Sequence, residues 1–252
     1  MKTNTPFPAG KTAIVTGASR GIGSAIAKRL AAEGIAVIIN YAGRKAEADK
    51  VVEEIVAAGG RAAALQADVS DPAQVAAMFD QAATLFGGVD ILVNNAGVIQ
   101  PGLTKLADTD DALFDRLVSI NLKGTFNTLR VAARQLRPGG RIINFSSSVK
   151  GLALPGYSVY AATKAAVETM TLIFAKELRG RGITVNAIAP GPTATKLFLD
   201  GKPQEVIDRL SNMAPLGRLG QPQDIAAAVA FLSGPDGAWI NGQTVRANGG
   251  II

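Results

Sequence analysis

Residues 12–30 read "TAIVTGASRGIGSAIAKRL". The first four, Thr12–Val15, are small, β-branched or apolar without strict alternation, which suits a strand buried on both faces. From Ile22 onward apolar residues return every three or four positions, which suits a helix. Between the two lie Gly17, Gly21 and Gly23 in the spacing G-x-x-x-G-x-G. Glycine permits a tight bend and lets the main chain approach a ligand closely. A turn of this kind also aims free N–H groups and the positive end of a helix dipole at one point. Gly17, Ser19, Arg20, Gly21, Ile22 and Gly23 are therefore a candidate cradle for a pyrophosphate. Glycine turns are common structural features, and it is the place in a first strand–turn–helix unit that gives this one its weight.

The unit recurs along the chain. Strand candidates are Thr12–Val15, Ala36–Asn40, Ala62–Gln66, Ile91–Val93, Arg141–Phe145, Thr184–Ile188 and Thr244–Arg246. Helical patterns cover Ile22–Glu33, Lys45–Ala58, Pro72–Phe86, Asp111–Leu136, Val159–Arg179 and Pro222–Leu232. This alternation predicts an α/β fold, a doubly wound parallel sheet with helices on both faces. No linker or composition shift interrupts it, so residues 1–252 read as a single domain. Pro192–Asn212 fits the rhythm worst and reads as an inserted flap with one short helix at most.

Composition removes several function classes. The chain has 252 residues, 48% of them hydrophobic, enough for one sizeable core. There is no Cys and no His. Disulfide and thiolate chemistry, zinc hydrolysis and Ser-His-Asp catalysis are excluded, no metal site is expected, and proton transfer falls to Tyr, Lys, Asp or Glu. The formal charge of +6 is spread over scattered Lys and Arg. That suits phosphate-bearing ligands but not a nucleic-acid partner. No apolar run reaches membrane-spanning length, and Met1–Pro8 lacks the apolar segment of a signal peptide. A soluble cytoplasmic protein is the expectation.

The second strand ends in Asn40-Tyr41-Ala42-Gly43-Arg44-Lys45. In dinucleotide-binding folds this end meets the adenosine ribose, and an acid there grips a free 2′-hydroxyl. Here no acid is present. Arg20, with Arg44 or Lys45, could hold a 2′-phosphate instead, although Lys45 reads equally well as a surface cation. Asn40, Tyr41, Ala42 and Arg44 thus join the candidate cofactor contacts, and NADP(H) is expected in preference to NAD(H).

Further on, residues 159–167 read "VYAATKAAV". On a helix Tyr160 and Lys164 share a face, among small neighbours. A nearby ammonium favours the ionised phenol, which ordinarily titrates near ~10. The pair is a candidate acid/base, although Y-x-x-x-K is also frequent by chance.

Further motifs occur in order: Asp68-Val69, Asn94-Asn95-Ala96-Gly97, Asn121, Ser146-Ser147-Ser148 and Pro190-Gly191. With the glycine loop and Tyr160-Ala161-Ala162-Thr163-Lys164, the chain from about Lys11 onward resembles the short-chain dehydrogenase/reductase family. The resemblance implies a Rossmann domain whose seven strands run in the order 3-2-1-4-5-6-7. It implies Tyr160 as acid/base, Lys164 as its partner and a ribose ligand, Ser147 as the serine that orients the substrate, and Asn121 as a relay residue. Spacing alone does not choose Ser147 over its neighbours. The resemblance places Asp68 and Val69 at the adenine. It places Asn95, Ala96 and Gly97 at the centre of the cofactor, and Pro190, Gly191, Thr193 and Thr195 beside the nicotinamide. It also implies a homotetramer or homodimer.

The function expected is hydride transfer between NADP(H) and a carbonyl or secondary alcohol. Val149, Leu152, Leu154, Tyr157, Leu197 and Phe198 are candidates for the substrate wall, Ser147 being the polar contact. A 3-oxoacyl thioester on a carrier protein or CoA is one candidate substrate; Arg134 and Arg137 could greet an acidic carrier, and read equally well as ordinary solvated helix charges. Alternatives are an NAD-linked dehydrogenase of a sugar, steroid or cyclic alcohol, and a non-catalytic dinucleotide sensor.

Overall fold

Seven strands form one parallel sheet: β1 (Thr12–Val15), β2 (Ala36–Tyr41), β3 (Ala62–Gln66), β4 (Val89–Asn94), β5 (Leu136–Phe145), β6 (Thr184–Pro190) and β7 (Thr244–Ala247). Their spatial order is β3-β2-β1-β4-β5-β6-β7, as the family resemblance implies. The computed structural model describes residues 10–200 and 203–252, apart from the side chain of Leu197.

Side chains of a strand alternate between faces, so each central strand feeds two cores. Ala13, Val15, Val37 and Ile39 pack against Ile26 and Leu30 of α1 (Gly21–Ala32), Val51 and Ile55 of α2 (Lys45–Ala57), and Ile225 and Val229 of α10 (Pro222–Ser233). Ile14, Ile38, Leu92 and Ile142 face the other way. They meet Val75, Met78 and Phe79 of α3 (Pro72–Phe86), Leu129 of α5 (Gly124–Gln135), and Ala175 of α7 (Ser158–Glu177). Burial on both sides explains why these strands read as continuous apolar runs.

Two expectations are corrected. The single helix expected over Asp111–Leu136 is α4 (Asp111–Leu117) and α5, joined through a π-helical segment at Val118–Lys123, and Leu136 belongs to β5. The segment Pro192–Asn212 carries two helices, α8 (Lys196–Leu199) and α9 (Gln204–Met213), instead of one at most. Thr195 caps α8 by accepting from the Phe198 N–H at 3.2 Å. A further short helix, α6 (Val149–Leu152), follows the serine run.

A buried polar ladder crosses the middle of the sheet. Asn94 and Asn144 are direct neighbours on β4 and β5. The Thr128 hydroxyl donates to Asn94 Oδ1 at 2.7 Å, Asn94 Nδ2 donates to Asn144 Oδ1 at 2.8 Å, and Asn144 Nδ2 donates to Thr171 Oγ1 at 2.9 Å. The ladder ties α5, two central strands and α7 together just below the ends of β4 and β5. Such a network fixes a unique packing when its donors all find partners.

Candidate active site

The glycine turn sits at the C-terminal end of β1. Gly17 has φ +61°, and a Cβ there would lie 2.9 Å from Ala96 Cα. A Cβ on Gly23 would lie 2.5 Å from Asn95 Nδ2. Asn95 Nδ2 donates to the carbonyls of Thr16 and Gly17 at 2.9 and 3.1 Å, which pins the loop to the end of β4. Asn40 does the same from β2. Its Oδ1 accepts from the Gly17 N–H at 3.2 Å, and its Nδ2 donates to Ala67 O at 3.0 Å. Asn40 is 1% exposed, and its side chain holds the glycine loop from β2. The first turn of α1, from Gly21, supplies free N–H groups by helix geometry.

The cations at the β2 end separate by their partners. Arg44 is paired with Glu47 at 3.2 Å and Lys45 with Asp49 at 2.6 Å. Arg20, half-buried at the N-cap of α1, has no carboxylate partner among the described residues. Tyr41 is 6% exposed and lies in the core layer of α1 and α2, so its ring is not open at the strand end; Ala42 is exposed there. Asp68 accepts from the N–H and hydroxyl of Ser70 at 2.9 and 2.8 Å. Val69 is buried against Gly124, and its carbonyl accepts from Asn127 Nδ2 at 2.9 Å. The donor set and the glycine cradle fit a dinucleotide laid across the ends of β1, β2 and β4.

Tyr160 and Lys164 leave α7 on the same side. Lys164 Nζ stands 5.8 Å from the centre of the Tyr160 ring. The Ser147 hydroxyl lies beside the Tyr160 phenol, and Ser147 Oγ accepts from the Val149 N–H at 3.3 Å. The expected lowering of the phenol pKa is corrected. Burial pushes Tyr160 above the ordinary phenol value, the Ser147 hydroxyl works against this, and Tyr157 adds to it. Lys164 Nζ donates to Phe145 O at 2.8 Å, and burial lowers its own pKa to about 8.

The three serines are distinguished by what holds them. Ser146 donates to Glu168 Oε1 at 2.6 Å. Ser148 donates to Ala189 O at 3.2 Å and accepts from Asn248 Nδ2 at 3.0 Å. Ser147 alone of the three meets Tyr160. Asn121 lies in the π segment, fully buried. Its Oδ1 accepts from the Val98 N–H at 2.8 Å and its Nδ2 donates to Val98 O at 2.9 Å. A Cβ on Gly97 would lie 3.2 Å from Asn121 Oδ1 and 3.5 Å from Lys164 Nζ, so these three groups surround one small space.

A crevice beside Tyr160 is lined by Gln100, Thr104, Leu113, Leu117 and Tyr157. The two tyrosine rings meet edge to face, 6.4 Å apart. Of the described residues expected in the substrate wall, Tyr157 lines this crevice. Val149 and Leu152 are in α6 outside it, and the side chain of Leu197 lies outside the described residues. Thr193 donates to Gly191 O at 2.9 Å and bridges to Gly220, which fixes the start of the segment after β6. Arg134 is exposed, but Arg137 is bound to Asp90 at 3.2 Å and to Gly87 O, so it is not free for a carrier. Gln100, Lys150 and Glu168 were not singled out from the sequence. Their partners lie 18 to 56 residues away, and no local spacing signals them.

Similarity to known proteins agrees with this geometry. The family described as enoyl-(acyl carrier protein) reductase matches residues 17–252. The chain is 47% identical to a chloroplastic NADPH-dependent aldehyde reductase-like protein of Arabidopsis thaliana, over 98% of this chain and 96% of the relative. It is 45% identical to the 3-oxoacyl-acyl-carrier-protein reductase of Staphylococcus aureus, over 96% and 98%. A short chain dehydrogenase from Burkholderia cenocepacia, solved in complex with NADP, superposes with a TM-score of 0.90 at 42% identity, covering 96% and 98%. The chain belongs to the short-chain dehydrogenase/reductase family. It is thus an oxidoreductase, and the ends of β4 and β5 with α7 are its candidate reaction centre.

Proposed function

We propose that this oxidoreductase reduces aldehydes or ketones with NADPH, using Tyr160 as the acid. The observation that carries the reading is the approach of the Ser147 hydroxyl to the Tyr160 phenol, with Lys164 one turn along the same helix. A bound nicotinamide supplies the hydride. Ser147 holds the carbonyl oxygen of the substrate, and Tyr160 gives it a proton as negative charge grows there. Raised by burial, the phenol keeps its proton at neutral pH, which suits the reducing direction. Lys164 and Asn121 line the path behind the phenol. Arg20, left without a carboxylate, suits a 2′-phosphate.

Residues 1–252 act as one dinucleotide-binding domain, with 192–212 as a substrate flap. The compartment proposed is the cytoplasm, and no helix among the described residues is long and apolar enough to cross a membrane. A homotetramer, or failing that a homodimer, is the proposed assembly. Trp239, Phe231, Leu172 and Ile173 are large exposed apolar residues, and β7 is an end strand of the sheet. A scattering mass near the 25.9 kDa of one chain would refute self-association.

The test of activity is an NADPH-oxidation screen over aldehydes, ketones, β-keto esters, 3-oxoacyl thioesters and quinones, with NADH in parallel. Turnover of at least one carbonyl class, lost in Tyr160→Phe, is the expected result. Absence of turnover with any carbonyl, despite tight NADPH binding, would favour a sensor instead.

A further inference from the structure

Glu168 lies one turn beyond Lys164, so Tyr160, Lys164 and Glu168 form a stripe at four-residue spacing on α7. The two oxygens of its carboxylate divide between the two flanks of Ser147. Oε1 accepts from the buried Ser146 hydroxyl at 2.6 Å, and Oε2 is ion-paired with Lys150. The Glu168 side chain is 15% exposed and the Lys150 side chain 41%, so the Ser146 contact is the more shielded of the two. Other anchors hold the serine turn along the sheet: the N–H groups of Ser146 and Ser148 donate to the carbonyls of Ile188 and Pro190. Those bonds set the height of the turn against β6. The Glu168 bridge sets its distance from α7, the helix that carries the phenol.

We propose that Glu168 is a positioning residue for the reaction, clasping both sides of Ser147 so that its hydroxyl meets Tyr160. The proposal rests on the reading of Ser147 and Tyr160 as the reacting pair. Displacement of a reacting group by about 1 Å can cost about a hundredfold in rate, so a carboxylate that touches neither substrate nor cofactor can still govern turnover. Lys150 completes the clasp from the far flank through a charge-assisted contact.

The test is a double-mutant cycle on the full chain, assayed with NADPH and any carbonyl that the unmodified enzyme reduces. Glu168→Ala should lower kcat by roughly ten- to a hundredfold. Its affinity for NADPH, measured by calorimetry, should be unchanged. Adding Ser147→Ala should cost little more than Ser147→Ala alone, because a misplaced hydroxyl has little left to lose. Glu168→Gln keeps an acceptor for Ser146 and should recover much of the rate. Unchanged kcat in Glu168→Ala, or losses that multiply in the double variant, would overturn the proposal. Should Glu168→Ala fail to fold, the same cycle with Lys150→Met decides between the same outcomes. Tyr160→Phe, run alongside, separates the two levels: full turnover there sinks the parent reading and this proposal with it. Lost turnover there, combined with multiplying losses in the cycle, sinks the clasp alone.

Discussion

The Lys164 ammonium donates to the Phe145 carbonyl at 2.8 Å, in a position only 5% exposed. A cation so buried is costly, and burial lowers its pKa from 10.5 to about 8. Below pH 8 both folded and unfolded chains carry the charge, and the fold bears the full desolvation cost. Between about 8 and 10.5 the unfolded chain binds more protons, so this group's contribution to stability rises with pH. Lys164→Met should therefore leave the cofactor-free protein at least as stable as before at pH 7, while turnover collapses. Its stability relative to the unmodified chain should decline from pH 8 to 10.5. Urea titrations across that range test this, and a pH-independent difference would contradict it.

Tyr160 sets a second pH dependence. Burial raises the phenol, so its protonated form persists through neutral pH. In the free enzyme, kcat/KM for carbonyl reduction should stay level across neutral pH, while the reverse oxidation of an alcohol should climb toward alkaline pH. Tyr160→Phe should lose about a hundredfold or more in turnover and keep its affinity for NADPH. Reduction that falls steeply from below neutrality would require another acid.

The serine run makes a third prediction. Ser147→Ala removes the hydroxyl that meets Tyr160 and should lower kcat by about a hundredfold. Ser148→Ala breaks contacts to Ala189 and Asn248 and should show up in stability, not in kcat. Ser146→Ala removes one arm of the Glu168 clasp and should fall between the two. Steady-state kinetics with melting curves rank the three, and a larger kcat loss at Ser148 would place the reacting hydroxyl elsewhere.

That ranking shows where the sequence was legible. The strands were readable because burial on both faces leaves unbroken apolar runs such as Ala13-Ile14-Val15. Tyr160 and Lys164 were readable because helix geometry turns a spacing of four into a shared face. The partners that separate Ser146, Ser147 and Ser148 were not, because Glu168 and Asn248 are distant in the chain. The π segment at Val118–Lys123 has the same origin. Asn121 is held there by Val98 and Thr163, and neither contact is visible in the local pattern. The direction of the phenol's pKa is not legible for a related reason: a spacing of four brings the ammonium to the ring but says nothing of the burial that raises the phenol.

The ladder through Asn94 and Asn144 gives a prediction about stability. Asn144→Ala leaves Asn94 Nδ2 buried without its acceptor and removes the donor to Thr171. An unpaired buried polar group costs about 1–3 kcal/mol. For a chain of this length each kcal/mol lowers Tm by about 2–4 °C. Because the ladder lies below the serine turn, NADPH affinity should change far less than the unfolding midpoint. An unchanged Tm in Asn144→Ala would mean that water or repacking satisfies the orphaned amide.

Cofactor choice turns on Arg20 and the end of β2. Arg44 and Lys45 are paired with Glu47 and Asp49, and Arg20 has no carboxylate partner among the described residues, which supports the proposal that Arg20 meets a 2′-phosphate. A charge-assisted hydrogen bond is worth roughly 1.5–3 kcal/mol, which is about tenfold or more in affinity. Arg20→Ala should weaken NADPH by that factor and leave NADH nearly unchanged, while Arg44→Ala should do little to either. A carboxylate introduced at the strand end should repel the phosphate and grip the free ribose hydroxyls of NADH. Tyr41 is the wrong place for it, because a buried Asp would damage the core. Ala42 is exposed at the same end, so Ala42→Asp should invert the preference without unfolding the chain. Measuring kcat/KM for both cofactors in the unmodified enzyme and these three variants decides the matter. A preference for NADH in the unmodified enzyme, or an Arg44→Ala loss larger than that of Arg20→Ala, would move the phosphate site away from Arg20.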